Sequence, residues 1–152
     1  MSIGLLDVNV LVALFDPAHP KDAHAWFGKN QRRGWATCPL TINGCVRVLS
    51  NPAYPTVDAT PRDVIVRLET LCTRAGHHFW PDSVSLLDDR LFDPRRIAGH
   101  QAITDAYLVG LAVRHGGKLV TCDRSIPWKA VLGADAGDVL VLGTSSPHAA
   151  RP

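Results

Sequence analysis

Ile3-Gly4-Leu5-Leu6-Asp7-Val8-Asn9-Val10-Leu11-Val12-Ala13-Leu14-Phe15 is the stretch on which the fold turns. It is apolar almost throughout, yet Asp7 and Asn9 stand in its middle. A short apolar run reads as a buried strand, which fits Ile3 to Leu6. Val8 to Phe15 then fits the start of a helix. Asp7 therefore falls at the carboxyl end of a strand, where open α/β sheets bind their ligands. A buried carboxylate is costly unless it is paired or holds a metal. The plainer alternative is that Asp7 caps the following helix, a task that Ser or Thr performs without a charge.

The bulk properties set the class. At 152 residues, one domain is the natural expectation, with enough chain to bury a substantial core. Apolar residues make up 46% and charged residues 20%, which excludes a disordered chain. A net charge of +2 permits a polyanionic partner without demanding one. The apolar N-terminal run is too short for a membrane span and is broken by Asp7 and Asn9. It also lacks the basic start and the cleavage site of a signal peptide. Cys38, Cys45, Cys72 and Cys122 show no CxxC spacing and read as reduced core thiols, so a cytoplasmic protein is expected.

Working outward, the chain alternates strands and helices. Lys21 to Arg33 reads as a helix with Ala23, Trp26 and Phe27 on one face, stopped by Gly34. Trp35 to Cys38 is a second strand, and Pro39 opens a helix to Leu49. Thr60-Pro61 starts another helix, to about Arg74, with Val64, Leu68 and Leu71 inward. His77 to Trp80 is a third strand. The charged segment Ser85 to Gln101 is expected to be helical over Leu86 to Phe92 and otherwise loop. Ile103 to His115 has the clearest helical spacing, with Ile103, Ala106, Tyr107, Gly110 and Leu111 on one stripe. Lys118 to Cys122 and Val139 to Leu142 are the fourth and fifth strands, with a short helix at Trp128 to Leu132 between them. This alternation predicts one α/β domain over residues 1–143, a central parallel sheet of about five strands flanked by helices. Residues 144–152 are expected to form a flexible tail.

Three carboxylates then share one expected rim. Asp7 ends the first strand, Asp105 sits in the first turn of the helix from Ile103, and Asp123 follows the fourth strand. Clustered carboxylates repel unless a cation lies between them, and oxygen-only ligands suit Mg²⁺ or Mn²⁺. Such an ion activates water for attack on a phosphodiester. Singly, Asp105 also suits a helix N-terminus and Asp123 a turn. Phosphate-loop, dinucleotide, zinc-protease and serine-hydrolase motifs are absent. A phosphoacceptor domain is not supported either, since no acidic pair follows the first strand.

Leu5-Leu6-Asp7-Val8-Asn9-Val10-Leu11, Thr104-Asp105-Ala106-Tyr107-Leu108 and Val120-Thr121-Cys122-Asp123 resemble the three acidic motifs of PIN-domain ribonucleases. Cys38-Pro39-Leu40-Thr41, continuing through Val46 to Pro52, is similar to the VapC toxins of toxin–antitoxin pairs. The resemblance spans Ile3 to about Leu142. It implies a Mg²⁺- or Mn²⁺-dependent endoribonuclease toxin that inhibits translation and growth by cutting a tRNA or rRNA. It further implies a VapB-like antitoxin, a homodimer and no membrane. Carried over by position, Asp7, Asp105 and Asp123 are the catalytic and metal-binding residues, with Asn9 and Thr121 in support. One departure stands out: the family usually carries a Glu on the helix after the second strand. Here no Asp or Glu occurs between Asp22 and Asp58. Ile42, Asn43 or Gly44 occupies that region, and Asn43 is the supporting candidate there, as a neutral oxygen. Arg47, Arg95, Arg96 and Arg124 are candidates for RNA phosphates, and Trp128 for stacking on a base. The alternative is a catalytically weakened PIN domain acting mainly as an RNA- or antitoxin-binding module.

Overall fold

The computed structural model describes residues 2–143. The expected tail at 144–152 lies outside the described residues. Five short strands, β1 (Gly4–Leu6), β2 (Trp35–Thr37), β3 (His77–Phe79), β4 (Lys118–Thr121) and β5 (Val139–Val141), form one sheet in the order β3-β2-β1-β4-β5. Every pairing is parallel, with Leu6 opposite Val120 and Thr121 opposite Val141. The five-strand α/β expectation is met.

The strand side chains alternate between the two faces, and each face builds its own core. Leu6 and Val120 pack with Val10, Leu11, Phe27, Leu49, Val64 and Leu68. These come from α1 (Val8–Phe15), α2 (Asp22–Asn30), α3 (Pro39–Leu49) and α4 (Pro61–Leu71). Leu5 and Leu119 pack on the other face with Leu108, Val109, Leu111 and Ala112 of α5 (Ile103–Arg114). From β1 the chain builds outward to β2 and β3, then returns to add β4 and β5 on the other side. The reversal point lies between β1 and β4, so their carboxyl ends frame the crevice in which such sheets hold ligands.

Two close approaches fix the helices. A Cβ at Gly44 would stand 2.5 Å from Val8 Cγ2, so α1 and α3 meet through a glycine. Gly110 likewise leaves room on α5 for the ring of Phe92.

Several local expectations fail for identifiable reasons. No helix forms over Leu86 to Phe92. Ser85 Oγ accepts from the Leu87 N–H at 3.1 Å and Asp88 Oδ1 from the Arg90 N–H at 3.0 Å, which replaces helical bonding by local turns. Phe92 instead makes an antiparallel bridge to Val131. α2 stops at Asn30 in a 3-10 turn over Gln31–Arg33, and the expected helix at Trp128 is a 3-10 turn over Trp128–Ala130. α4 ends at Leu71, short of Arg74. α5 is not striped: Leu108, Val109 and Ala112 are also buried, while Ile103 is 42% exposed. It lies between the sheet and the segment carrying Phe92, so nearly its whole girth is covered.

Candidate active site

Asp7 follows the last residue of β1 and caps α1. Its backbone is extended, and its Oδ1 accepts from the Val8 N–H at 2.7 Å. The cap is therefore real, but it engages one oxygen. The other, Oδ2, accepts from the Thr121 hydroxyl at 2.8 Å. The carboxylate is only 6% exposed, although it lies at a rim of the sheet.

Thr121, the last residue of β4, joins the rim together. Its Oγ1 donates to Asp7 and accepts from Asn9 Nδ2 at 3.3 Å and from the Asp123 N–H at 3.0 Å. Asn9 Oδ1 in turn accepts from the Cys122 N–H at 3.0 Å. Asn9, in the first turn of α1, is thus clamped to the end of β4. Asn9 and Thr121, the two residues expected in support, are both members of this network. Cys122 is pushed up to about 11, chiefly by burial and next by the negative charge of Asp7. Asp22, at the start of α2, acts on the same thiol. Asp22 was not anticipated as a neighbour of this rim, since nothing in its local sequence marks it.

Asp123 is half-buried, and its Oδ1 accepts from the Ser125 N–H at 2.8 Å and the Ser125 hydroxyl at 2.7 Å. The turn role is thus filled by one oxygen, and the Asp-x-Ser spacing signals it. Asp105 is half-buried in the first turn of α5. α5 leads through a tight turn into β4 and packs back along it, so its N-terminus lies toward the carboxyl ends of the strands. A carboxylate there is favoured by the helix dipole.

α3 supplies no acid. Asn43 is exposed and makes no hydrogen bond with the cluster. Gly44 faces Val8, next to Asp7. α3 therefore meets the start of α1 at Gly44, where the Val8 side chain fills the space a Cβ would need. Arg47 is exposed on α3, one turn beyond Asn43, and Arg124 is exposed beside Asp123.

One buried carboxylate was missed entirely. Asp16, just after α1, is 2% exposed, and its Oδ2 accepts from the Tyr54 and Thr56 hydroxyls, each at 2.6 Å. Its Oδ1 accepts from the Ala18 N–H at 2.9 Å. Burial pushes this carboxyl up, but the three hydrogen bonds prevail and hold it below its ordinary value.

The rim's donors are carboxylate, amide and hydroxyl oxygens, the chemistry that suits Mg²⁺ or Mn²⁺. Among the described residues, no three His, Cys, Asp or Glu side chains gather closely enough to hold an ion by themselves.

Residues 4–131 match the PIN domain. The chain belongs to the PIN-domain family. Within that match Asp7 follows β1, Asp123 follows β4 and Asp105 lies in the first turn of α5. The chain is 45% identical over 133 residues to Ribonuclease VapC44 of Mycobacterium tuberculosis, covering 86% of this chain and 93% of that one. Ribonuclease VapC39 of the same organism is 43% identical over 132 residues, covering 86% and 95%. Ribonuclease VapC38 is 45% identical over 131 residues, covering 82% and 87%. No helix among the described residues is long and apolar enough to cross a membrane.

Proposed function

We infer that this PIN domain is an endoribonuclease toxin of the VapC type. The observation that carries the inference is Asp7. It is a buried carboxylate at the switch point of a parallel sheet, tied through Thr121 to the end of the neighbouring strand, in a chain similar throughout to proteins named ribonucleases.

In this reading Asp7 and Asp105 hold a divalent cation, Mg²⁺ or Mn²⁺, and Asp123 completes the site directly or through water. When bound, the ion supplies an activated water and offsets charge on the phosphodiester under attack. The chain's own groups orient the ligands. The Val8 N–H and the Thr121 hydroxyl fix the two oxygens of Asp7. Asn9 holds the end of β4 at a constant distance from α1. The partners proposed with this activity are a cellular RNA, a tRNA or an rRNA, a VapB-like antitoxin that neutralises the toxin, and a second copy of the chain.

Purified protein incubated with total cellular RNA tests the reading. Discrete cuts are expected with Mg²⁺ or Mn²⁺, none with chelator, and a loss of about a hundredfold or more in Asp7→Asn and Asp105→Asn. Metal-independent cutting, or full activity in both variants, would contradict it.

A second reading, a weakened PIN domain that mainly binds RNA or antitoxin, is favoured by one feature. α3 carries no acid and presents Gly44 to Val8. Folded, antitoxin-free protein that binds RNA and cuts none under either metal would establish it.

A further inference from the structure

The segment between β3 and α5 descends along α5. Arg114, at the carboxyl end of α5, lies 3.6 Å from Asp88. Phe92 sits on Gly110, midway along the helix. The 3-10 turn over His100–Ala102 leads into Ile103. The intervening 3-10 turn, Pro94–Arg96, therefore lies toward the N-terminus of α5, the end that carries Asp105.

The segment after Asp123 runs antiparallel to it. Phe92 bridges Val131, the Asp93 N–H donates to the Ala130 carbonyl at 2.8 Å, and the Leu132 N–H donates to the Leu91 carbonyl at 2.8 Å. Beyond this bridge both segments curl into their 3-10 turns, Pro94–Arg96 and Trp128–Ala130, which lie against one another. The Lys129 ammonium lies 5.6 Å from the Trp128 ring centroid. The segment that leads into α5 and the segment that follows Asp123 thus join in one patch holding three cations and an indole.

The cations are available to exchange partners. The side chains of Arg95 and Arg96 are 89% and 59% exposed, and both lean on the single carboxylate of Asp93, at 3.1 and 3.5 Å. Exposed ion pairs of this kind are weak, and one carboxylate does not neutralise two guanidiniums. Arginine forks match phosphate oxygens. Trp128 is half-buried against the core beside α5 and keeps only part of its indole at the surface. An aromatic edge among cations suits a strand with bases to stack and phosphates to grip, which an acidic peptide lacks.

We propose that the turns Pro94–Arg96 and Trp128–Ala130 together seat a single-stranded stretch of RNA next to the scissile bond. Trp128 stacks on a base, and Arg95, Arg96 and Lys129 hold phosphates. The inference rests on the ribonuclease reading and adds the binding track and a residue that selects for unpaired RNA. Duplex RNA, whose bases are not splayed, is bound more weakly through this patch.

The test is binding of a short fluorescein-labelled single-stranded RNA to the full chain carrying Asp7→Asn, with cleavage measured in parallel on the parent protein. Trp128→Ala is expected to weaken binding about tenfold, and Trp128→Phe to restore most of it. Arg95→Ala with Arg96→Ala is expected to flatten the dependence of log affinity on log salt by about 0.7 for each phosphate no longer neutralised. Arg62→Ala, on the outer side of α4, changes neither. Thermal melts of each variant separate impaired binding from impaired folding. Unchanged affinity and salt slope in both patch variants, with a parent that binds and cuts RNA, would overturn the patch and leave the ribonuclease reading standing. A parent that neither binds nor cuts RNA would overturn both. Patch variants that bind RNA normally but fail to capture an acidic peptide that the parent captures would reassign the surface to a protein partner.

Discussion

The two ends of α1 each carry a nearly buried aspartate, and the two have opposite settings. Asp16, at the carboxyl end, stands where the helix dipole disfavours a negative charge. It is surrounded by three donors, two of them hydroxyls brought in by the loop between α3 and α4. Asp7, at the amino end, stands where the dipole favours its charge. Its two oxygens are fixed by one backbone N–H and by Thr121, at the crevice where β1 and β4 part. Burial of a carboxylate therefore does not by itself mark a catalytic group. What separates the two is topology: Asp16 ties a loop to a helix, and Asp7 opens on the sheet's switch point.

The largest separation of the two ends is expected from Thr121→Val. This isostere removes the hydroxyl that serves Asp7, Asn9 and the Asp123 N–H at once. Activity should fall about ten- to a hundredfold, as for other residues that orient metal ligands. The network around Asp16 should be untouched, so Tyr54 should titrate as in the parent. Equal activity in the variant would mean that Asp7 is positioned by α1 alone.

Gly44→Glu sharpens the Asp7 side. The added side chain must displace Val8, so the single variant should lose about 1–3 kcal/mol in urea unfolding. Combining it with Val8→Ala should restore stability and lower the Mn²⁺ concentration needed for cleavage. An unchanged metal requirement in the double variant would show that the missing α3 acid is not what limits metal binding.

A smaller effect reports on the Asp16 side. Tyr54 is pushed up from 10.0 to about 12, by burial first and then by its bond to Asp16. A raised phenol contributes stability that is fully present below its unfolded value and lost as pH rises through its folded one. Melting temperature should thus fall between pH 10 and about 12. Tyr54→Phe should melt lower at neutral pH but lack that alkaline decline. The Asp16 carboxyl is held low, so its contribution is present above 3.8 and lost as pH falls through its folded value.

Much of the sheet was legible because parallel strands buried on both faces read as short apolar runs between turns, as at Leu5-Leu6 and Leu119-Val120. Asp7 was legible because a charge interrupts such a run. Asp16 was not, since Tyr54 and Thr56 lie 38 and 40 residues away and only the folded chain brings them in. Asn43 on α3 lies exposed, and the contact of α3 with α1 is made instead by Gly44 against Val8, on another helix, which no local pattern marks. Leu86 to Phe92 misled because Ser85 and Asp88 bind their own backbone, a competition that apolar spacing does not register. The approach of the turns Pro94–Arg96 and Trp128–Ala130 depends on a bridge between two loops, Phe92 to Val131, which carries no local signature.

The most direct measurement is to take Asp7→Asn and Asp16→Asn through RNA cleavage and thermal melting on the same preparations. Asn caps a helix as well as Asp, so Asp7→Asn should melt within a few degrees of the parent while its metal-dependent cleavage is lost. Asp16→Asn should still cut RNA when cold but melt roughly 5–15 °C lower, from a loss of about 2–4 kcal/mol. Cleavage retained in Asp7→Asn, or an Asp16→Asn protein that melts like the parent yet fails to cut, would contradict this assignment of the two ends of α1.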